Sequence, residues 1–143
     1  MAEYPITKFH FMVAWGGKNI GFTEVSGLAV EQEMIEYRHG ASTEYTKVKM
    51  PGMKKYGNIT LKRGTFKDDN EFFEWWNAAE LNDIERRDIT ISLLNGKHQA
   101  MVTWSVKNAW PLKVDPGDLK ADGNEVAIET IELAHEGITI QHV

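Results

Sequence analysis

The residues of this chain that could carry out chemistry are its histidines and carboxylates. The five histidines show no paired ligand spacing, which argues against a metal site; they occupy positions 10, 39, 98, 135 and 142. His135 and Glu136 adjoin at the end of the last predicted strand, where a polar pair is more typical than a catalytic acid and base. The sequence contains no nucleophile elbow and no glycine loop for phosphate. It therefore predicts neither an enzyme nor a cofactor.

The composition bounds the class of protein. A chain of 143 residues with 42% hydrophobic content predicts one domain, spanning residues 1–143. Its hydrophobic core is large enough to be stable without disulfides or bound metals. The absence of cysteine excludes disulfides and thiolate chemistry. A net charge of −5 argues against a general affinity for nucleic acid or anionic membranes. No stretch approaches the roughly 20 apolar residues of a membrane span, and we expect a soluble protein made in the cytoplasm without a signal peptide or membrane anchor.

The helices and strands that position the side chains come next, and the strongest periodic signal in the sequence is that of a helix. Asp68 can cap its first turn, with Glu71 three positions later, so we expect the helix to start near Asp69. At about 100° per residue, one aromatic face collects Phe72, Trp75 and Trp76, with Phe73 at its edge. We interpret Phe72, Trp75 and Trp76, together with Trp104 of a later strand, as buried aromatic side chains that support the sheet, and we call these four residues the core brace. The alternative is a sugar-stacking platform.

Strand-like alternation predicts a mainly β domain around this helix. Apolar side chains alternate with polar ones at Ile59 and Leu61, at Ile89 to Leu93, and in a first strand that covers residues 9–15. Asn95-Gly96 predicts a type I′ hairpin, and Asn108 to Pro111 predicts the end of the strand that follows. A phase change within 124–137 predicts a bulge or bend. We expect a small β-barrel or sandwich of about six to eight strands with one packed helix.

The segment from His39 to Gly57 breaks the pattern. It holds three glycines, one proline and Lys47, Lys49, Lys54 and Lys55. Structureless loops longer than about 12–15 residues are uncommon in compact domains and are usually functional. A phosphate-binding strip is disfavoured because the chain is acidic and lacks a nucleic-acid motif. A solvated loop without a partner remains an alternative.

Several motifs, in order, resemble those of T4-like phage tail tube proteins. They are GFTEVSGL (21–28), EY (36–37), MPG (50–52), NITLKRG (58–64), FFEWW (72–76), DITI (88–91), WSVKNAWP (104–111) and NEVAIE (124–129). The resemblance covers about residues 9–140 and is closest to inner tube proteins of extracellular contractile injection systems of the antifeeding-prophage type. It implies a small β-barrel related to the tube protein of type VI secretion.

The resemblance also implies how such a protein works. Hexameric rings stack into a hollow tube inside a contractile sheath, and contraction drives the tube through a target envelope, without bond chemistry. It implies contacts with other copies, sheath, baseplate or tube-initiator and tube-cap proteins, and luminal effector cargo. The protein would be located in a phage tail-like particle, either released from the cell or bound to it. Glu129 and Glu132 then fit either exposed strand positions or charges that face the lumen.

In this family a long loop after the second strand reaches the adjacent ring. Here that role would fall on residues 40–57, and the predicted contacts are Lys47, Lys49, Met50, Pro51, Gly52, Lys54, Lys55 and Tyr56. Free strand edges of a β-domain would pair between neighbours in such a ring. Two alternatives stay open. One is a single-ring tube initiator or cargo carrier at the baseplate, and the other is a stand-alone β-sandwich that binds carbohydrate through its aromatic side chains.

Overall fold

The described residues form nine strands and one helix. The computed structural model describes residues 8, 10–16, 21–38, 40–41, 47–65, 69–78, 85–123 and 126–142. The strands are β1 (Phe11–Ala14), β2 (Phe22–Ser26), β3 (Val30–Tyr37), β4 (Val48–Tyr56), β5 (Ile59–Gly64), β6 (Arg87–Leu94), β7 (Ala100–Asp115), β8 (Ile128–Ala134) and β9 (Gly137–His142). The helix, α1, spans Glu71–Asn77. The mainly β fold class is confirmed, with one strand above the predicted range.

Seven strands form a bent antiparallel sheet with two halves. One half contains β1, β6, the first part of β7, and β9; the other contains the second part of β7, β8, β5 and β2. The pair β3 and β4 forms a separate two-stranded sheet. Within the described part of the chain, β1 pairs only with β6 and β2 only with β5. Both strands are therefore sheet edges, with backbone groups available for another strand.

Strand β7 bends at Asn108, which adopts a positive φ of 52°. Its backbone N–H donates to Asp88 Oδ1 at 3.0 Å, and the register between β6 and β7 shifts there. The predicted strand end at Asn108 to Pro111 is wrong, because β7 continues to Asp115. Pro111 is tolerated since the pairing with β6 ends at Ala109, which leaves one side of β7 without a ladder. The bend carries β7 from one half of the sheet to the other.

Alternate side chains from both halves of the sheet meet in one apolar core. The buried members are Val13, Trp15, Ile59, Leu61, Phe72, Trp75, Ile89, Ile91, Val106, Ala109, Ile131, Leu133 and Ile138. The alternation predicted for the strands around α1 is seen in β5, where Ile59 and Leu61 are buried and their neighbours are more exposed. At the predicted phase change, Ile131 and Leu133 are the buried residues of β8, and Val126 is exposed.

Helix α1 begins two residues later and buries a narrower face than its sequence predicts. The predicted cap, Asp68, lies outside the described residues; Asp69 Oδ1 accepts a hydrogen bond from the Glu71 N–H at 3.2 Å. The helix begins at Glu71, with Asn70 at the N-cap position. No helix in the described part of the chain is long and apolar enough to span a membrane.

The hairpin between β6 and β7 forms where Asn95-Gly96 predicts it, but with a longer turn. Asn95 Oδ1 accepts hydrogen bonds from the backbone N–H groups of Lys97 and Gln99. His98 adopts a positive φ of 59°. A five-residue loop closed by these bonds therefore replaces the two-residue type I′ turn.

Candidate subunit-contact surfaces

The potentially reactive side chains make structural contacts. The described residues contain no group of three or more histidines or carboxylates suited to a metal. The rings of His10 and His98 meet edge to face at 4.4 Å, and His39 lies outside the described residues. The carboxylates of Glu129, Glu132 and Glu136 accept hydrogen bonds from Arg63, Asn58 and Asn108, respectively. These hydrogen bonds therefore connect strands and turns of the fold.

The interpretation of residues 39–57 as a loop is wrong for Val48–Tyr56, which is strand β4. It pairs antiparallel with β3, and we call this unit the β3–β4 hairpin. The sequence hides the strand because a register shift between Gln32 and Met34 breaks the alternation of side chains. Every residue of β3 is exposed. A two-stranded hairpin is marginally stable alone in water, so a large exposed hairpin favours a partner surface.

Both faces of the β3–β4 hairpin carry exposed apolar side chains. Directly opposed residues share a face, and the register opposes Ile35 to Met50 and Tyr37 to Val48. We call these four side chains the apolar quartet. They are 48%, 43%, 54% and 60% exposed, respectively. On the other face, Glu36 opposes Lys49. Met34, which lies opposite Pro51 on that same face, is 56% exposed, so both faces of the hairpin turn apolar side chains to solvent.

The residues predicted to contact a neighbouring ring lie in β4 or directly before it. They are Lys47, Lys49, Met50, Pro51, Gly52, Lys54, Lys55 and Tyr56. Lys47 Nζ lies 3.3 Å from Glu36 Oε2 of the same hairpin. Lys55 is placed opposite Glu31. Lys47 thus has an ion-pair partner within its own hairpin, and Lys47 and Lys55 both remain exposed to a neighbour.

A compact joint connects the β3–β4 hairpin to the rest of the fold. His135 Nε2 lies 2.8 Å from Gly57 O, and because a carbonyl only accepts, Nε2 carries the proton. The ring of Tyr56 lies 5.7 Å from that of His135. Gly27 has a φ of +87°, and a Cβ there would lie 2.0 Å from Asn58 O. These contacts fix the position of the hairpin root, and only glycine allows the close approach at position 27.

An apolar groove opens between the two edge strands β1 and β2. Its volume is about 550 Å³. Half-buried apolar side chains and the buried Ile91 dominate its lining, namely Phe11, Val25, Leu28, Ile91, Leu93 and Trp104, with Lys8, Thr23 and Glu24 completing it. We call it the β1–β2 groove. Each flanking strand has one backbone edge without a strand partner among the described residues.

A buried charge cluster holds α1 against the sheet. Arg63 is fully buried, its Nε donates to Glu129 Oε1 at 2.7 Å, and its Nη2 donates to Asp69 Oδ1 at 3.0 Å. The guanidinium carbon lies 3.9 Å from the centre of the Phe72 ring. Our sequence interpretation missed this cluster. Arg63 shares the parity of the buried Ile59 and Leu61, and this was the available signal.

The predicted core brace is partly correct at the level of burial. Phe72 and Trp75 are 1% and 2% exposed, whereas Trp76 is 42% exposed, so its assignment to the core is wrong. In a helix of seven residues the buried face is centred between Phe72 and Trp75, and Trp76 lies off that centre, where its ring contacts Phe73 at 6.0 Å. Trp104 is half-buried and packs against the core from the groove.

Comparison with models of known protein families assigns this chain to one family. Residues 7–139 match the model of the T4-like virus tail tube protein gp19. This chain belongs to that tail tube family. Among curated proteins, no match was found.

Solved structures agree with the tail tube assignment. The tail tube chain is 39% identical, with a TM-score of 0.90, to a chain of the PVC sheath-tube complex of an extracellular contractile injection system in its extended state; the match covers 99% of this chain and 94% of that one. It is 38% identical, with a TM-score of 0.91, to a chain in the structure of the anti-feeding prophage cap, covering 100% and 95%. The predicted resemblance is therefore confirmed.

A solved structure of lower sequence identity shares the fold. Hcp1 from Flavobacterium johnsoniae is 15% identical with a TM-score of 0.59, and the match covers 94% of this tail tube chain and 97% of Hcp1. At this identity the likeness shows the fold alone. The family assignment does not support the alternative of a stand-alone carbohydrate-binding module.

Proposed function

We propose that this chain is the structural subunit of the inner tube of a contractile injection particle. Six copies form a ring, rings stack into a hollow tube, and sheath contraction drives the tube through a target envelope. The observation that carries this proposal is the 39% identity over 99% of the chain to a component of a sheath-tube complex. The function is mechanical, and no bond is made or broken by this chain.

The surfaces of the fold suit a repeating assembly. Strands β1 and β2 have free backbone edges in the described structure, and such edges promote pairing between copies unless they are covered. The β3–β4 hairpin extends this potential contact area beyond the core. Closing a ring converts edges that favour aggregation into specific contacts.

The proposed partners follow from the relatives. We propose contacts with sheath, baseplate and tube-cap proteins, and effector cargo in the lumen, because similar chains occur in sheath-tube, cap and terminator structures. We propose assembly in the cytoplasm, followed by incorporation into a phage tail-like particle. The likeness to a chain of the anti-feeding prophage baseplate is 23% identical, so it supports the fold rather than a baseplate role.

We also propose that residues 47–56 contact the adjacent ring. Lys49 and Lys55 lie opposite Glu36 and Glu31 of β3, so the hairpin carries charges of both signs. Charged contacts of this kind set register and orientation more than affinity.

Electron microscopy of the full chain, alone and with its sheath and baseplate proteins, tests the proposal. We expect stacked tubes whose outer sheath contracts around them. Isolated rings under every condition would instead favour the single-ring initiator or carrier. A chain that stays monomeric even with the baseplate as template would overturn both functions.

A further inference from the structure

Methionine is concentrated on the β3–β4 hairpin. Three of the six methionines of the chain lie there, namely Met34 on β3 and Met50 and Met53 on β4. We propose that these three thioethers are a reversible oxidation site, through which a peroxide controls whether the free chain can join a tube. The inference rests on the proposed tube function, and it adds a covalent modification that this function does not itself require.

All three methionine side chains are open to solvent in the single copy. Met34, Met50 and Met53 are 56%, 43% and 77% exposed, respectively. A thioether sulfur reacts with a dissolved oxidant only where solvent reaches it, so exposure determines which methionines are oxidised. The three residues are therefore reactive in the unassembled chain, before a neighbouring ring covers the hairpin.

Met53 is the most exposed of the three because of its place in the fold. The register shift of the hairpin leaves Gly52 and Met53 opposite the single residue Glu33, as in a β-bulge. Gln32 Nε2 donates to Gly52 O at 3.1 Å, which fixes the backbone of the bulge. A residue in a bulge lacks the cross-strand neighbour that covers a regularly paired side chain. We therefore expect Met53 to react first.

The reaction is a two-electron oxidation of sulfur by a peroxide. Hydrogen peroxide transfers one oxygen atom to the thioether, so that an S=O bond forms and the O–O bond breaks, and both hydrogens leave with the other oxygen as water. The product is methionine sulfoxide, which is polar and which sulfoxide reductases return to the thioether. The site can therefore be switched in both directions.

Oxidation places polar groups on both faces of the hairpin. Met50 lies opposite Ile35 on one face, and Met34 lies opposite Pro51 on the other. A sulfoxide oxygen that is buried without a hydrogen-bond donor costs free energy, so a neighbour that packs on either face binds more weakly. The modification therefore weakens stacking whichever face of the hairpin meets the adjacent ring.

Site-resolved oxidation of the free chain tests the first step. The full-length protein is treated with dilute hydrogen peroxide, quenched with catalase and mapped by mass spectrometry over time. We expect Met53 to be oxidised at least about threefold faster than Met101, which is half-buried on β7. A rate at Met53 equal to or below that at Met101 would overturn the inference, whether or not tubes form.

An assembly experiment tests the consequence of oxidation. The oxidised and quenched chain is mixed with untreated sheath and baseplate proteins, and tubes are counted by electron microscopy. We expect about tenfold fewer tubes than from the untreated chain, the change that corresponds to 1.4 kcal/mol at 25 °C. Treatment of the oxidised chain with methionine sulfoxide reductases is expected to restore the tubes.

Leucine variants locate the effect on the hairpin. The triple variant Met34→Leu, Met50→Leu and Met53→Leu keeps side chains of similar volume that have no sulfur, and we expect it to form tubes after peroxide treatment. Met12→Leu is the matched control, because Met12 lies on β1 and is 47% exposed. We expect this control to lose its tubes on oxidation as the native chain does.

The outcomes separate this inference from the proposed function. Undiminished tubes from the oxidised native chain, loss of tubes from the oxidised triple variant, or protection by Met12→Leu alone would each overturn the inference and leave the tube function intact. If the triple variant misfolds by circular dichroism, reductase repair decides instead, and tubes that stay absent once mass spectrometry shows three restored thioethers would overturn it. Untreated native protein that forms neither rings nor tubes with its partners would refute the proposed function.

Discussion

Arg63 on β5 and Glu129 on β8 form a hydrogen-bonded ion pair of 2.7 Å between Nε and Oε1, with the arginine fully buried. The second arm of the guanidinium reaches Asp69, directly before α1. One side chain thus connects two strands to the entry of the helix. In a subunit whose function is mechanical, this connection holds the helix and the sheet in one rigid body.

We predict that Arg63→Met destabilises the fold by about 3–5 kcal/mol, because it leaves buried carboxylates without their cation. Urea unfolding followed by tryptophan fluorescence measures the change. The matched control is Arg86→Met, whose exposed pair with Glu136 contributes less than about 1 kcal/mol. Equal losses from the two variants would contradict the structural role of the buried cluster.

We predict that Trp75→Ala costs about 3–5 kcal/mol, because it empties a fully buried position. It also removes the indole N–H that donates to Glu85 O at 2.9 Å. Trp76→Ala is the control on the same helix, and we expect a clearly smaller loss since Trp76 is 42% exposed. Thermal unfolding by circular dichroism compares them. A larger loss from Trp76→Ala would reverse our assignment of the buried face.

We predict that Gly27→Ala costs at least about 1–3 kcal/mol, because alanine is strained at positive φ and its Cβ would meet a backbone carbonyl at 2.0 Å. Gly21→Ala serves as control, since a Cβ there meets nothing within 4 Å. Chemical unfolding gives the stability of each variant. Native stability of Gly27→Ala would show that the hairpin root tolerates displacement.

We predict that His135→Leu loosens the root of the β3–β4 hairpin, because it removes the donor to Gly57 O and about 1 kcal/mol of hydrogen bonding. His135→Gln keeps an N–H donor at a similar reach and should restore most of the effect. Hydrogen exchange of the β4 amides, read by mass spectrometry, is expected to rise in the leucine variant alone. Unchanged exchange in both variants would mean that Tyr56 and Gly27 suffice to hold the joint.

We predict that the double change Lys54→Glu and Lys55→Glu shortens tubes and increases their sensitivity to salt, because it reverses charge on the proposed inter-ring segment. Tube length by electron microscopy at low and high ionic strength measures the effect. Lys113→Glu, a similarly exposed lysine of β7, is the control. If tube length and salt resistance match those of the native chain, the lysines have no role in stacking.

Much of the fold can be predicted from short stretches of the sequence. The period of two marks β5 and β6 because each buries one face, and the paired aromatic residues mark α1. The motifs that indicate the tail tube family are also read from the sequence alone, and the match to the family model confirms that assignment. Strand β4 escaped detection because its exposed side chains and its register shift remove the alternation that burial imposes.

The sequence by itself determined the mainly β class, the position of the helix and the family. Only the tertiary structure decided that β7 runs through Asn108 and Pro111, that Arg63 is buried between two carboxylates, and that Trp76 lies outside the core. The physical reason is that these outcomes depend on partners distant in sequence. The end of the β6 pairing at Ala109 allows the proline, Asp69 and Glu129 compensate the arginine, and only the side of α1 that packs on the core is buried.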